Sequence, residues 1–175
     1  MKIIDLTLPI YTGMPVYPGD PEASIEIVQT IEKDGWDMRH IQINSHDGTH
    51  VNVPSHGIKN GKNLDDYELG SFCGFVRIYD SSITITHTEG IIFRDQNIDK
   101  VIAEKIKKGR PKFIGLSSKY EFDVDIEKDL LGAGIISFER LVNLDILPSS
   151  FEFYGMPLNI KEGDGSPVRA FAIIR

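Results

Sequence analysis

The chain has 175 residues, 41% hydrophobic and 26% charged, an ordinary balance for a soluble globular protein with enough length for a substantial core without disulfides. Its 26 acidic residues against 19 basic ones leave a formal charge of -7, which repels a phosphate backbone and argues against a nucleic-acid partner. The N-terminal Met1-Lys2-Ile3-Ile4-Asp5-Leu6 holds no apolar stretch long enough for a signal peptide or a membrane span, so the expectation is a cytoplasmic protein with no membrane partner.

Alternating hydrophobicity and β-branched content predict strands over residues 3–8, 23–31 and 37–45, then over 74–79, 112–116, 135–138, 152–158 and 168–174. Residues 97–108 read as a helix, with Ile98, Val101, Ile102 and Ile106 on one face and Gly109 and Pro111 as the stop. A shorter helix is expected over 126–131. Turns are marked by Tyr17-Pro18-Gly19-Asp20-Pro21, Lys59-Asn60-Gly61-Lys62 and Glu162-Gly163-Asp164-Gly165-Ser166-Pro167. No repeat or linker divides the chain, so the reading is one α/β or α+β domain over residues 1–175 with a mostly β core. The single cysteine, Cys73, excludes an intrachain disulfide or a CxxC motif, and its apolar setting reads as a small buried thiol.

The segment His46-Asp47-Gly48-Thr49-His50-Val51-Asn52-Val53-Pro54-Ser55-His56 holds three of the five histidines in eleven residues. Imidazole is the commonest protein metal ligand and the side chain best suited to proton transfer near neutral pH. His46 and His50 are spaced like a helical zinc motif, but Gly48, Thr49, Val51, Val53 and Pro54 disfavour a helix, and the glutamate of that motif is missing. In an extended segment residues 46, 48, 50 and 52 face one side. A straight strand would separate the Cα atoms of His46 and His50 by about 13 Å, so a shared ion requires a bend, and Gly48 is the residue that can supply it. His56, redirected by Pro54, would then stand beside the ion as a general acid or base. The alternative is a strand-to-loop transition with exposed histidines.

That segment resembles the HxGTHxDxPxH motif of the cyclase-like metal-dependent hydrolases, a family that includes bacterial kynurenine formamidase and isatin hydrolase. The resemblance extends through Met14-Pro15-Val16-Tyr17-Pro18-Gly19-Asp20-Pro21, Asn143-Leu144-Asp145 and Gly163-Asp164-Gly165-Ser166-Pro167-Val168-Arg169-Ala170, and covers essentially the whole chain. It implies a swivelling β/β/α-type fold, a homo-oligomer, and a divalent ion, zinc or manganese, that activates water against the amide or lactam carbonyl of a small-molecule substrate. By position His46 and His50 match metal ligands, His56 the catalytic histidine and Glu139 a late glutamate ligand.

The chain departs from the family pattern at three places. Asn52 stands where the motif has an aspartate that bridges two ions, so one ion per chain is expected. Glu127 stands twelve residues before Glu139, where the formamidases place a histidine ligand. It reads either as a carboxylate ligand or as an exposed member of the acidic run Glu121-Phe122-Asp123-Val124-Asp125-Ile126-Glu127. Ile114-Gly115-Leu116-Ser117-Ser118-Lys119-Tyr120 lacks the family's Gly-Ile-Asp-x-x-Ser pattern. The leading expectation is a hydrolase of a formamide or cyclic amide, with His46, His50, Asn52, Glu139 and Glu127 as the metal set; the alternative is a noncatalytic binding protein on the same fold.

Among the remaining candidates, His40 reads as a strand-face residue and His87 offers no ligand spacing. Asp164, Ser166 and Arg169 read either as a polar cluster around a ligand or as a glycine-rich turn. Tyr17 and Trp36 are candidates to line a pocket for an aryl substrate.

Overall fold

The computed structural model describes residues 1–175 as eleven strands and three α-helices. In chain order these are β1 (Lys2–Asp5), β2 (Ser24–Gln29), α1 (Ile31–Asp34), β3 (Met38–Gln42), β4 (His50–Asn52), β5 (Cys73–Ile78) and β6 (Gly90–Phe93). They continue with α2 (Lys100–Gly109), β7 (Ile114–Ser117), α3 (Val124–Gly132), β8 (Ser137–Leu141), β9 (Ser150–Tyr154), β10 (Gly165–Pro167) and β11 (Phe171–Ile174). No helix is long and apolar enough to cross a membrane.

Nine strands form one mixed sheet in the order β1-β11-β9-β5-β6-β7-β8-β4-β10. Strand β10 lies at one edge and β11 beside the other, yet only residues 168–170 join them. In a flat sheet these strands would lie roughly 34 Å apart at about 4.8 Å per spacing, whereas that link reaches at most about 15 Å. The sheet therefore curls on itself. Backbone bonds tie the curl: Leu6 N–H donates to Ala170 O at 2.9 Å, Val142 N–H to Leu6 O at 3.0 Å and Val168 N–H to Thr49 O at 3.0 Å.

Curling divides the apolar side chains into two cores. Val51, Val76, Ile92, Phe138, Phe153 and Ala172 fill the concave side, while Ile91, Phe93, Ile114 and Leu116 pack outward against Ile102 and Ile106 of α2 and Ile126 and Leu130 of α3. Strands β5 to β8 run parallel and β6 is buried throughout. Its continuous apolar run, lacking alternation, hides it from a period-two reading. The Asp99 side chain accepts from Ile102 N–H at 2.8 Å, and that cap moves the start of α2 to Lys100, later than the expected 97. Asp123 caps α3 through Asp125 and Ile126 N–H, so that helix is longer than expected.

Strands β2 and β3 form a separate two-stranded ribbon. Here His40 is exposed opposite Glu26, in keeping with a strand-face role. Trp36 is 65% exposed and donates its indole N–H to Gln29 Oε1 at 2.9 Å, which removes it from any pocket. Cys73 is half-buried at the start of β5, less enclosed than its apolar neighbours suggest.

Phe113, Phe138 and Phe153 interlock on the concave side with ring centroids 4.9–5.3 Å apart, favourable separations for edge-to-face and tilted aromatic pairs. Gly155 makes room for them, since a Cβ there would stand 2.5 Å from Phe138 Cε1 and 2.9 Å from Phe153 Cε1. Gly155→Ala is expected to destabilise the fold by about 1–3 kcal/mol through overpacking, read as a lower urea midpoint; an unchanged midpoint would show that the ring cluster can yield.

Candidate functional site

Strand β4 is three residues long and is paired on both edges. His50 lies opposite Glu139 and Asn52 opposite Ser137 on β8; Asn52 also lies opposite Gly165 and His50 opposite Pro167 on β10. Alternation sends Val51 into the concave core and leaves His50, Asn52, Glu139 and Ser137 together on the face covered by α3. Ahead of β4, Gly48 adopts φ 62°, supplying the bend that the spacing of His46 and His50 requires. Beyond β4, Val53 N–H donates to Asp164 O at 3.2 Å, so the residue before Gly165 is also held at this rim. Pro54–His56 forms a 3-10 turn that carries His56 back over the site.

Strand β8 contributes through an irregularity. It carries one more residue than β7 between Phe138 and Leu141, and Arg140 there has φ 55°. Such a bulge re-aims neighbouring side chains, and Thr49 Oγ1 fixes it by donating to Arg140 O at 2.8 Å. From α3, Glu127 reaches in to complete the constellation; the expectation of an exposed member of an acidic run does not hold, because Ile126 and Leu130 turn this stretch of helix onto the core.

Asn52 is fully buried and stands at the centre. Its amide nitrogen donates to Glu127 Oε1 at 2.7 Å and Glu139 Oε1 at 2.5 Å, so its oxygen faces His46 Nδ1 at 2.7 Å. His46 Nδ1 therefore donates to that oxygen, and Nε2 lies 2.9 Å from Asp164 Oδ2, so both ring nitrogens face acceptors. His50 Nδ1–H likewise donates to Gly48 O at 2.9 Å, leaving its Nε2 3.6 Å from Glu139 Oε1. His56 Nδ1 lies 3.4 Å from the same Asp164 Oδ2, with its ring 3.7 Å from that of His46.

The donor set suits a divalent ion. Ligand atoms of His46, His56 and Asp164 all lie within 4.8 Å of one another, and His46 and His50 each have their Nδ1–H committed to an oxygen, the second contact that orients metal-binding imidazoles. Ser137 Oγ, on β8 opposite Asn52, is a buried side-chain polar atom without a hydrogen-bond partner. Imidazole with carboxylate is a combination that zinc, manganese and iron accept.

Electrostatics divide the carboxyl groups. Burial, together with the charge of neighbouring Glu139, pushes Glu127 up to about 7. Burial also acts on Glu139, but its contact with His50 and the bonds from Glu127 and Asn52 outweigh it and hold that carboxyl below its ordinary value. Hydrogen bonds from His46 and then His56 hold Asp164 well below the usual carboxylate range. The site opens into a cavity of about 310 Å³ lined in part by Tyr17, Phe122, Val124, Leu131, Lys128 and Arg140.

Every residue expected from the histidine segment and its partners, namely His46, His50, Asn52, His56, Glu127 and Glu139, lies in this one cluster. Asp164 is the addition: its polar, glycine-flanked setting reads equally as a turn, and only the pairing of β10 with β4 reveals that it faces the histidines. Ser166 instead caps Leu158 N–H, and Arg169 pairs with Asp5 at the surface. His87 takes no part.

The raised Glu127 value has a definite consequence for stability. The folded protein binds that proton more tightly than the unfolded chain, so the contribution is complete below about 4.5 and is lost as pH rises through about 7. The melting temperature of metal-free protein should fall across that window, and Glu127→Gln should flatten the fall; an identical profile in the variant would contradict the assignment. Gly165 supplies a second test, because a Cβ there would stand 2.6 Å from His46 Cε1 and 2.6 Å from Val51 O. Gly165→Ala should displace His46 and weaken zinc or manganese binding by about tenfold or more, measured by calorimetric titration.

Comparison with known proteins accords with this geometry. A sequence model described as putative cyclase matches residues 4–121. An uncharacterized protein of Methanocaldococcus jannaschii is 33% identical over 199 residues, covering 99% of this chain and all of that one. The kynurenine formamidase of Salinibacter ruber is 26% identical over 207 residues, covering 97% of this chain and 96% of its own. Among solved structures, an isatin hydrolase bound to the product analogue thioisatinate superposes with a TM-score of 0.80 at 19% identity, over 99% of this chain and 92% of that one, a likeness of fold. With the family model spanning well over half its length, the chain belongs to the putative cyclase family.

Proposed function

We propose that the chain is a metal-dependent hydrolase of a small amide, either an aryl formamide or a cyclic amide. The observation that carries the proposal is the convergence of three imidazoles with Glu127, Glu139 and Asp164 at the mouth of a cavity with partly apolar walls. Its relatives include a kynurenine formamidase, and Tyr17 and Phe122 offer flat apolar surface to an aryl group. One zinc or manganese ion per chain is expected, with His46 and His50 as its holders and Glu139 as a weaker ligand, and with His56, whose ligand atom lies within 4.8 Å of those of His46 and Asp164, beside the ion rather than on it. The exposed apolar side chains of the β2–β3 ribbon, Ile27 and Ile41 among them, support assembly into a homo-oligomer.

A bound divalent ion would supply a Lewis acid that lowers the pKa of water and polarises the amide carbonyl. The protein's part is orientation and proton movement. Asp164 stands against His56 Nδ1, which leaves Nε2 as the nitrogen that takes a proton from the attacking water. As the water oxygen bonds to the carbonyl carbon and the carbon–nitrogen bond breaks, His56 returns that proton to the departing nitrogen. Asn52 holds His46 and the two glutamates in register throughout.

The test is release of formate from an aryl formamide, and ring opening of a lactam such as isatin, by zinc- or manganese-loaded protein. Turnover should vanish on chelation and return with metal. His56→Ala should lower kcat by about 10²–10⁴ while the ion is retained. Turnover unaffected by chelation would overturn the proposal, loss of the ion in His56→Ala would contradict the separate role of that residue, and bound metal with no hydrolysis would favour a noncatalytic binding protein.

A further inference from the structure

We infer that Asn52 is a positioning residue that takes the place of a second cation, so that this centre is built for a single ion and keeps its glutamate pair ordered without one. The inference rests on the reading of the cluster as a metal centre but concerns the part of it that Asn52 occupies.

The argument begins with satisfaction of the amide. A primary amide offers two N–H donors and a carbonyl acceptor. Both donor bonds are made, to Glu127 Oε1 at 2.7 Å and Glu139 Oε1 at 2.5 Å, and the oxygen receives His46 Nδ1–H at 2.7 Å. Turning the amide over would set its oxygen against two carboxyl oxygens, so the orientation is dictated by the neighbours. Where an aspartate would present a second negative oxygen to Glu127 and Glu139, this chain presents N–H groups. Those groups cannot coordinate a cation, and they lie on the side of Asn52 that faces both glutamates.

Charge reinforces the geometry. Asn52 is fully buried, and an aspartate there would bring three carboxyl groups within hydrogen-bond reach of one another. Buried carboxylates without compensation are costly, and a divalent cation is the usual compensation. The Asn52 amide supplies compensation of another kind, two hydrogen bonds to acidic groups from one neutral side chain. On its opposite side it holds His46 through Nδ1, which aims Nε2 at Asp164 Oδ2. The one residue thus orients a ligand and removes the demand for a second ion.

Asn52→Asp tests this directly, read by elemental analysis after saturation with zinc or manganese and by melting of the metal-free protein. The wild type is expected to hold one ion per chain and Asn52→Asp two. Metal-free Asn52→Asp should melt about 5 °C or more below metal-free wild type, and added metal should close the gap. A variant that folds only when the ion is supplied would support the inference equally. Adding Glu127→Gln to Asn52→Asp should restore metal-free melting and return the stoichiometry to one, which a merely damaged core would not do. Two ions in the wild type, or metal-free Asn52→Asp melting with the wild type, would overturn it. The metal-free melting reads the role of Asn52 whether or not the protein hydrolyses an amide, so failure of the hydrolase proposal is separately visible.

Discussion

Strand β4 is hydrogen-bonded on both sides over only three residues, and every distance at the site depends on that double pairing. Its partner β8 brings Glu139 opposite His50, and its partner β10 brings Gly165 opposite Asn52 with Asp164 just beyond. Neither alignment is local in sequence. Both are set by the place of β4 between β8 and β10, and the short link between β10 and β11 curls the sheet around them. The rim of the curl is therefore the one place where the histidine segment, the late glutamate and the C-terminal turn can meet, and α3 covers it from the helical side.

Much of this was legible in the histidine segment. The need for a bend at Gly48 follows from the reach of two imidazoles, and the positive φ there meets it. Helices α2 and α3 follow from periodicity, with their starts adjusted by the Asp99 and Asp123 caps. Strand β6 was hidden because burial on both faces erases alternation, and β4 and β10 because three residues are too few to show a period. Asp164 was ambiguous for a related reason: a polar residue between glycines has the letters of a turn, and its role is set by a strand pairing more than a hundred residues distant. Tyr17 and Trp36 look alike as exposed aromatics, yet only Tyr17 lies against the cavity, since the ribbon carries Trp36 away.

Two of the departures from the family pattern, Asn52 and Glu127, make physical sense together. Glu127 supplies a carboxyl where a neutral imidazole is the family's choice, and Asn52 removes a carboxylate from the next position. The buried acidity of the cluster is thereby redistributed, and a neutral amide holds the resulting glutamate pair. His46 lies on the other side of Asn52, with Asp164 between it and His56, while His50 stands beside Glu139. Substitutions that look like losses one at a time form, as a pair, two glutamates held by one buried amide.

The most direct test of the account is the metal content of untagged protein by elemental mass spectrometry, with and without added zinc or manganese, beside a His46→Ala/His50→Ala variant that remains folded. About one ion per chain in the wild type and none in the variant is the predicted result. No ion taken up by the wild type, or the same ion content in the variant, would contradict it.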